Sequence, residues 1–145
     1  MPATKGFKIL EHTADEYVMA YGTTLEEAFE SAALALCEVM TDSNTVAPID
    51  VESIRIVAED EPSLLYSWLE EFLIKFDAEG KIHSKFTISK IGKTKEGFYL
   101  NATAWGETYD PNKHPSRTGV KAMTYSRLEI IKEQNKVTLK FILDI

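Results

Sequence analysis

The clearest structural signal in the chain is the stretch Thr24-Leu25-Glu26-Glu27-Ala28-Phe29. A threonine followed three residues later by a glutamate is typical of a capping box, in which the Thr24 side chain accepts a backbone hydrogen bond while Glu27 reaches back. Apolar residues then recur at helical spacing and form one stripe, which comprises Leu25, Ala28, Phe29, Ala32 and Leu36. The pattern predicts a helix that begins after Thr24 and ends near Met40.

Strand patterns precede this helix, and a strand and a second helix follow it. Phe7–Glu11 and Glu16–Tyr21 are short and apolar or alternating, and Val51–Ala58 alternates apolar with charged residues. Pro62 stands where proline is tolerated in the first turn of a helix, and Gly80 stands where a helix ends. The apolar stripe between these two residues predicts a second, core-facing helix.

Period-two alternation dominates the last part of the chain and predicts strands. Residues Lys93–Gly97 are predicted to form a hairpin loop, and Thr108–Gly119, rich in proline, asparagine and aspartate, a long loop. Val120–Ile131 and Lys136–Ile145 are predicted to form a last hairpin. The sequence therefore predicts the α+β class: a single domain over residues 1–145, with a mostly antiparallel sheet and two main helices packed on one side of it.

Composition restricts the function classes. The 145 residues carry a formal net charge of -7 and include one cysteine, so an intrachain disulfide is excluded. The chain has no apolar run of the roughly 18 residues needed to span a bilayer and no signal-peptide pattern at its start, which predicts a cytoplasmic protein without membrane contact. Lysines cluster best at Lys90–Lys95, which is interpreted as a solvated strand end or hairpin rather than as an RNA contact, so tight direct binding to nucleic acid is not expected.

Few residues are candidates for covalent or acid–base chemistry. The sequence contains neither a phosphate-binding loop motif nor a zinc-ligand spacing. Cys37 lies among apolar residues of the first predicted helix and is interpreted as a small core residue rather than a nucleophile. His114, between Lys113 and Pro115 in the long loop, is predicted to be solvated.

Two acidic positions are of more interest. Asp15 lies between two predicted strands, where aspartate is also an ordinary turn residue. In the last strand, strand parity sets Asp144 on the face opposite the core face, and Ile145 then carries the α-carboxylate. Consecutive carboxylates held by a sheet suit a hard cation such as Ca²⁺, Mg²⁺ or Mn²⁺. The alternative is that Asp144 only pairs with a lysine at the sheet edge.

Four motifs resemble the archease family across essentially the whole chain. They are His12-Thr13-Ala14-Asp15, the stretch Gly22–Phe29, Val120-Lys121-Ala122-Met123-Thr124-Tyr125, and Asp144-Ile145. In the family, a histidine often follows the Thr-Tyr pair of the third motif. Here Ser126 stands at that position, so we assign it no essential role.

The resemblance implies an accessory protein rather than an enzyme. Archease acts as a cofactor protein of the GTP-dependent RNA ligase that joins tRNA halves, promoting guanylylation of the ligase and its multiple turnover. The family's divalent cation would be held here by Asp15, by Asp144 and by a main-chain oxygen of Ile145. Lys121 matches the motif lysine and is a candidate for the partner-facing site. His12 is a second candidate, although a hydrogen-bonded turn histidine is the alternative interpretation.

Two other functions stay open at this point. The chain could be an independent metal-dependent phosphoesterase, with His12 as the one histidine beside the acidic residues. It could also be a general chaperone-like binding module whose cation is structural. Turnover by the purified protein alone would support the first alternative, and a wide range of bound proteins the second.

Overall fold

The computed structural model describes residues 4–10 and 15–145. In chain order, the strands β1 to β8 are Gly6–Leu10, Glu16–Gly22, Asp50–Ala58, Lys81–Thr94, Gly97–Thr108, Ala122–Met123, Glu129–Glu133 and Lys136–Asp144. Helix α1 spans Leu25–Met40, α2 spans Glu61–Glu79, and a short 3-10 helix spans Ser43–Thr45. The predicted α+β class is confirmed.

The described strands form two antiparallel sheets, where the sequence predicted one. The large sheet has the order β1-β2-β8-β6, with β7 also paired to β8, and the small sheet has the order β3-β5-β4. Helix α1 packs against β2 of the large sheet and β4 of the small one, and α2 contacts strands of both sheets as well. The prediction of a single sheet with helices on one side was wrong. Alternation of apolar and polar residues reveals the two faces of a strand but not its hydrogen-bonded neighbours.

Both helices begin at capping residues. The Thr24 hydroxyl accepts from the Glu27 backbone N–H at 3.1 Å, and the Glu27 carboxylate accepts from the backbone N–H of Thr23 at 2.9 Å, one residue earlier than a capping box requires. Asp60 and Ser63 form a complete capping box at the start of α2, and Gly80 ends that helix with φ at +66°. Within the described residues, no helix is long and apolar enough to cross a membrane.

Trp68 joins both helices to the small sheet. Its indole N–H donates to the carbonyl of Phe29 in α1 at 2.9 Å, and its ring meets Phe72 and Phe86 edge-on, with centroids 4.7 and 6.2 Å apart. The side chain is fully buried, as its place in the predicted apolar stripe required. One continuous core therefore lies between the helices and the inner faces of the two sheets.

The predicted strand Val120–Ile131 is interrupted. Its ends form β6 and β7, which both pair with β8, while residues 124–128 leave the sheet as a turn. The turn is closed by a hydrogen bond from the Leu128 N–H to the Tyr125 carbonyl at 3.2 Å, and Arg127 adopts φ of 56°. Tyr125 instead stacks on Tyr66 of α2, with ring centroids 4.4 Å apart. A contact between distant segments thus overrides the local alternation.

Candidate functional site

The start of β2 and the end of β8 lie side by side in the large sheet. These strands are antiparallel, and their register pairs Glu16 with Leu143. Asp15 directly precedes Glu16, and Asp144 directly follows Leu143. Opposite residues of antiparallel strands have Cα atoms about 4.5 to 5.5 Å apart. The register therefore sets Asp15 and Asp144 at neighbouring positions on adjoining strands, although they are far apart in the sequence.

Strand β6 supports the end of β8 from its other side. Its register pairs Ala122 with Asp144, and the backbone N–H of Lys121 donates to the Asp144 carbonyl at 2.7 Å. Asp144 itself is exposed, whereas Ile145 is partly buried against the core. Hydrogen-bonded strands on both sides thus fix the backbone that presents Asp144 and Ile145.

We call Asp15, Asp144 and Ile145 the β2–β8 site. Its donors would be two carboxylates and a main-chain oxygen, a hard set that fits Ca²⁺, Mg²⁺ or Mn²⁺ better than a soft metal. Among residues 4–10 and 15–145, no group of three His, Cys, Asp or Glu side chains gathers closely enough to hold a metal ion. Side chains of the described residues therefore do not complete a coordination shell, and the assignment of these ligands stays a prediction.

The two partner-facing candidates differ in what is known of their position. Lys121 is exposed and directly precedes β6, so its side chain begins beside the end of β8. His12 lies outside the described residues, together with Thr13 and Ala14 of its motif. The roles predicted for Lys121 and His12 are not tested by these positions.

Aromatic and basic residues lie in β2 and in the turn after β6, the strands that flank the end of β8, and of these residues only Tyr125 belongs to one of the four family motifs. The guanidinium of Arg127 lies 5.6 Å from the ring centroid of Tyr17, which is the second residue of β2. Tyr125 is 54% exposed beside its partner Tyr66. Desolvation raises the pKa of both phenols. Tyr125 and Arg127 reach these positions only because residues 124–128 form a turn, and no local sequence pattern predicts that turn.

His114 is fully buried, so the prediction of a solvated histidine was wrong. Its Nδ1 accepts from the backbone N–H of Asp110 at 2.9 Å, and its Nε2 lies 2.8 Å from a carboxylate oxygen of Glu107. Because Nδ1 accepts, Nε2 carries the proton and donates to Glu107. The ring also stacks on Tyr109 at 5.6 Å. The histidine therefore anchors the long loop and has a structural role.

The far end of the long loop is held by helix α1. The backbone N–H groups of Arg117 and Thr118 donate to the carbonyls of Met40 and Val39 at 3.1 and 3.0 Å.

Cys37, in helix α1, is buried, and its burial raises the pKa of the thiol to about 12. A thiol that stays protonated at neutral pH is a poor nucleophile, which confirms the interpretation of Cys37 as a core residue.

Comparison with known proteins identifies the family. Residues 7–145 match the model of the Archease protein family. The chain belongs to the archease family. Protein archease of Sulfurisphaera tokodaii is 45% identical over 139 residues, which cover 96% of this chain and 98% of the relative. Protein archease of Methanothermobacter thermautotrophicus is 43% identical over 141 residues, with 97% and 99% covered.

Solved structures show the same archease fold. The solution structure of Methanobacterium thermoautotrophicum protein 1598 superposes with a TM-score of 0.83 at 41% identity, covering 97% of this chain and 99% of that one. The crystal structure of a Thermotoga maritima archease, described as a possible chaperone, has a TM-score of 0.60 at 19% identity, with 95% and 96% covered. At that lower identity the likeness concerns the fold alone.

Proposed function

We propose that this chain is a metal-binding accessory protein that activates the GTP-dependent tRNA-splicing RNA ligase. It would promote guanylylation of the ligase and allow multiple turnover in the cytoplasm. The observation that carries the proposal is the pairing of β2 with β8, which sets Asp15 of one family motif beside Asp144 of another. Membership of the archease family supports the proposal, and the ligase is the partner that the family resemblance implies.

The proposed cation would be held by Asp15, Asp144 and a main-chain oxygen of Ile145. When bound, it would neutralise the negative charges gathered there and polarise oxygen ligands. Two carboxylates held about 4 Å apart without a cation would repel each other by roughly 1 to 4 kcal/mol, depending on exposure. With so few protein donors, water or oxygen atoms of the partner must complete the shell. We infer that the ligase contacts this end of the large sheet.

Lys121 has two tasks in the proposal. Its backbone N–H ties β6 to the Asp144 carbonyl and so fixes the strand end that presents the carboxylate. Its exposed side chain starts at the same strand end, where it can offset negative charge or contact a phosphate of the guanylylation reaction.

A guanylylation assay at limiting divalent metal tests the proposal. We expect Asp15→Asn and Asp144→Asn each to reduce the rate to that of the ligase alone, since each removes a charged ligand but keeps the side-chain volume. Asp77→Asn, at an exposed position of α2, is the matched control and should stimulate normally. Circular dichroism should show all three variants folded. Normal stimulation by both site variants would contradict the proposal.

Two further assays separate the alternatives. The purified protein alone, given Mn²⁺ with nucleotides or RNA carrying a cyclic phosphate, should show no turnover, and turnover would favour a phosphoesterase. Pull-down from cell extract should recover one dominant ligase, whereas many partners would favour a chaperone-like module.

A further inference from the structure

The small sheet has one buried and one uncovered face. On its inner face, Phe86 of β4 packs against Phe72 of α2 with ring centroids 4.9 Å apart. On its outer face, Val51 and Val57 of β3 are 59% and 66% exposed. We call the outer face the open face, and its outward residues are Val51, Ser53, Arg55, Val57, Lys85, Thr87, Lys90, Tyr99, Asn101, Thr103 and Trp105.

Two aromatic rings lie on the central strand of the open face, each beside a cation. The guanidinium of Arg55 is 5.0 Å from the ring centroid of Tyr99, and the ammonium of Lys85 is 4.8 Å from that of Trp105. Both rings belong to β5, six positions apart on the same side of the strand. Aromatic rings interleaved with cations on an open antiparallel sheet are a recurring platform for unpaired bases.

The position of Tyr99 is fixed by a glycine on the neighbouring strand. Gly92 pairs with Tyr99, and a Cβ atom at Gly92 would come within 2.5 Å of the Tyr99 ring. The ring therefore lies across the backbone of β4, where any other residue would displace it. A ring held against the sheet loses little conformational freedom when a base stacks on it.

Hydrogen-bonding side chains fill the space between the two rings. The register aligns Ser53, Thr103 and Thr87 across the three strands, and it sets Asn101 beside Lys90. The Asn101 side-chain oxygen accepts from the Arg55 guanidinium at 2.8 Å. Hydroxyl and amide groups of this kind can bond base edges and the ribose 2′-hydroxyl, the group that distinguishes RNA from DNA.

The charge of the open face is opposite to that of the whole chain. The chain carries a net charge of -7, yet the charged residues of the open face are Arg55, Lys85 and Lys90. Glu107, next in line on β5, already binds Lys113 at 2.7 Å and the backbone N–H of Ala47 at 2.8 Å. The open face therefore offers a local positive charge to a polyanion.

We propose that the open face binds a short segment of single-stranded RNA, with bases stacked on Tyr99 and Trp105 and phosphates paired with Arg55, Lys85 and Lys90. A base stack contributes about 5- to 150-fold in affinity, more than the roughly 2- to 5-fold of an exposed cation–π contact. A base can therefore displace each cation from its ring and leave it free for a phosphate. The contact is weaker than the tight binding that composition disfavours, and it stands independently of the ligase proposal.

Titration of the protein alone with single-stranded RNA tests the inference. The measurement uses a labelled uridine-rich oligonucleotide at low salt with chelator present, so neither the ligase nor a divalent cation takes part. We expect Tyr99→Ala and Trp105→Ala each to weaken binding by about 5- to 150-fold. RNA should also quench the emission of Trp105, while the buried Trp68 gives a constant background.

The cations are tested by the salt dependence of binding. Three phosphate contacts predict a slope of about -2 in log affinity against log salt. The triple variant Arg55→Gln, Lys85→Gln, Lys90→Gln changes only side chains on the open face and should lose this slope while staying folded. The matched controls Tyr125→Ala and Lys132→Gln alter an exposed aromatic residue and an exposed lysine elsewhere, and should bind RNA normally.

Four results would count against the inference. One is no binding of RNA by the unaltered protein at low salt, and another is undiminished binding by the variants of the open face. Equal affinity for DNA of the same sequence would remove the assignment to RNA. Variants that bind RNA normally but lose the ligase would make the open face a protein-docking surface instead.

Discussion

Two regions of this chain, the β2–β8 site and the open face of the small sheet, present opposite charges to their surroundings. The large sheet brings Asp15 and Asp144 together where β2 begins and β8 ends, whereas the small sheet presents cations beside aromatic rings. The net charge of -7 averages over both regions. Net charge therefore identifies neither of the two proposed binding surfaces, and the distribution of charge over the fold is the more informative property.

The largest expected effect concerns the core that joins the two sheets. Trp68→Ala removes the hydrogen bond to the Phe29 carbonyl and the contacts with Phe72 and Phe86. We expect a loss of about 3 to 5 kcal/mol in the free energy of unfolding, the usual cost of deleting a buried aromatic side chain. Urea denaturation monitored by circular dichroism measures this free energy.

Trp105→Ala is the matched control for that experiment. Trp105 is only partly buried and lies on the open face, so its removal should cost less than about 1 kcal/mol. Comparable losses from the two tryptophan variants would show that the open face contributes to the core. The distinction between Trp68 as a core residue and Trp105 as a residue of the open face would then be wrong.

A second expected effect contrasts an acidic residue at the end of each sheet. The pKa of Glu107 is lowered to about 2 from its ordinary 4.5. The main cause is the hydrogen bond from the Lys113 ammonium, and smaller contributions come from the Ala47 backbone N–H and the His114 ring. A lowered folded-state pKa stabilises the protein above about pH 4.5, and this stabilisation is lost as the pH falls towards 2. Glu107→Gln should lower the free energy of unfolding by about 1 to 2 kcal/mol at pH 7. The difference from the unaltered protein should shrink as the pH falls. Urea denaturation midpoints measured at several pH values test this expectation.

Asp144→Asn should behave differently, because Asp144 is exposed and its carboxylate is proposed to serve binding. We expect its free energy of unfolding to change by less than about 0.5 kcal/mol in chelator. A large loss of stability on this substitution would assign Asp144 a structural role like that of Glu107.

A smaller loss of stability than at Glu107 is expected in the turn beside the β2–β8 site. Tyr125→Ala removes the stack on Tyr66 and should cost about 0.5 to 1.5 kcal/mol. Tyr125→Phe keeps the ring and should be nearly neutral. If the alanine variant is as stable as the phenylalanine variant, then the stack does not hold residues 124–128 out of the sheet.

Local sequence signals predicted the helices well. The Thr24 cap, the first-turn Pro62 and the terminal Gly80 all act within a few residues, so their effect is visible in the sequence. The same holds for the apolar stripe that carries Trp68. The division into two sheets was not predictable in this way, since it depends on which distant strands exchange hydrogen bonds.

The candidate site was predictable only in part. Parity on the last strand set Asp144 off the core face, but nothing near Asp15 in the sequence indicates that β2 pairs with β8. The family resemblance assigned Asp15 and Asp144 to one site, and the register of β2 with β8 then set them beside each other. His114 was misjudged because its polar neighbours suggested solvent, whereas a buried hydrogen bond to Glu107 decides its environment. Tyr125 was part of a family motif, but its stack on Tyr66 and the position of Arg127 were not predictable, because their turn depends on a ring in α2.

The most direct test of the central claim, that the start of β2 and the end of β8 together hold a divalent cation, is calorimetric titration with Mn²⁺, Mg²⁺ and Ca²⁺. The unaltered protein should bind at least one of these ions at a single site. Asp15→Asn and Asp144→Asn should each lower the affinity by tenfold or more, equivalent to about 1.4 kcal/mol, while Asp77→Asn leaves it unchanged. Equal affinities in all four proteins, or no binding by any of them, would contradict the account.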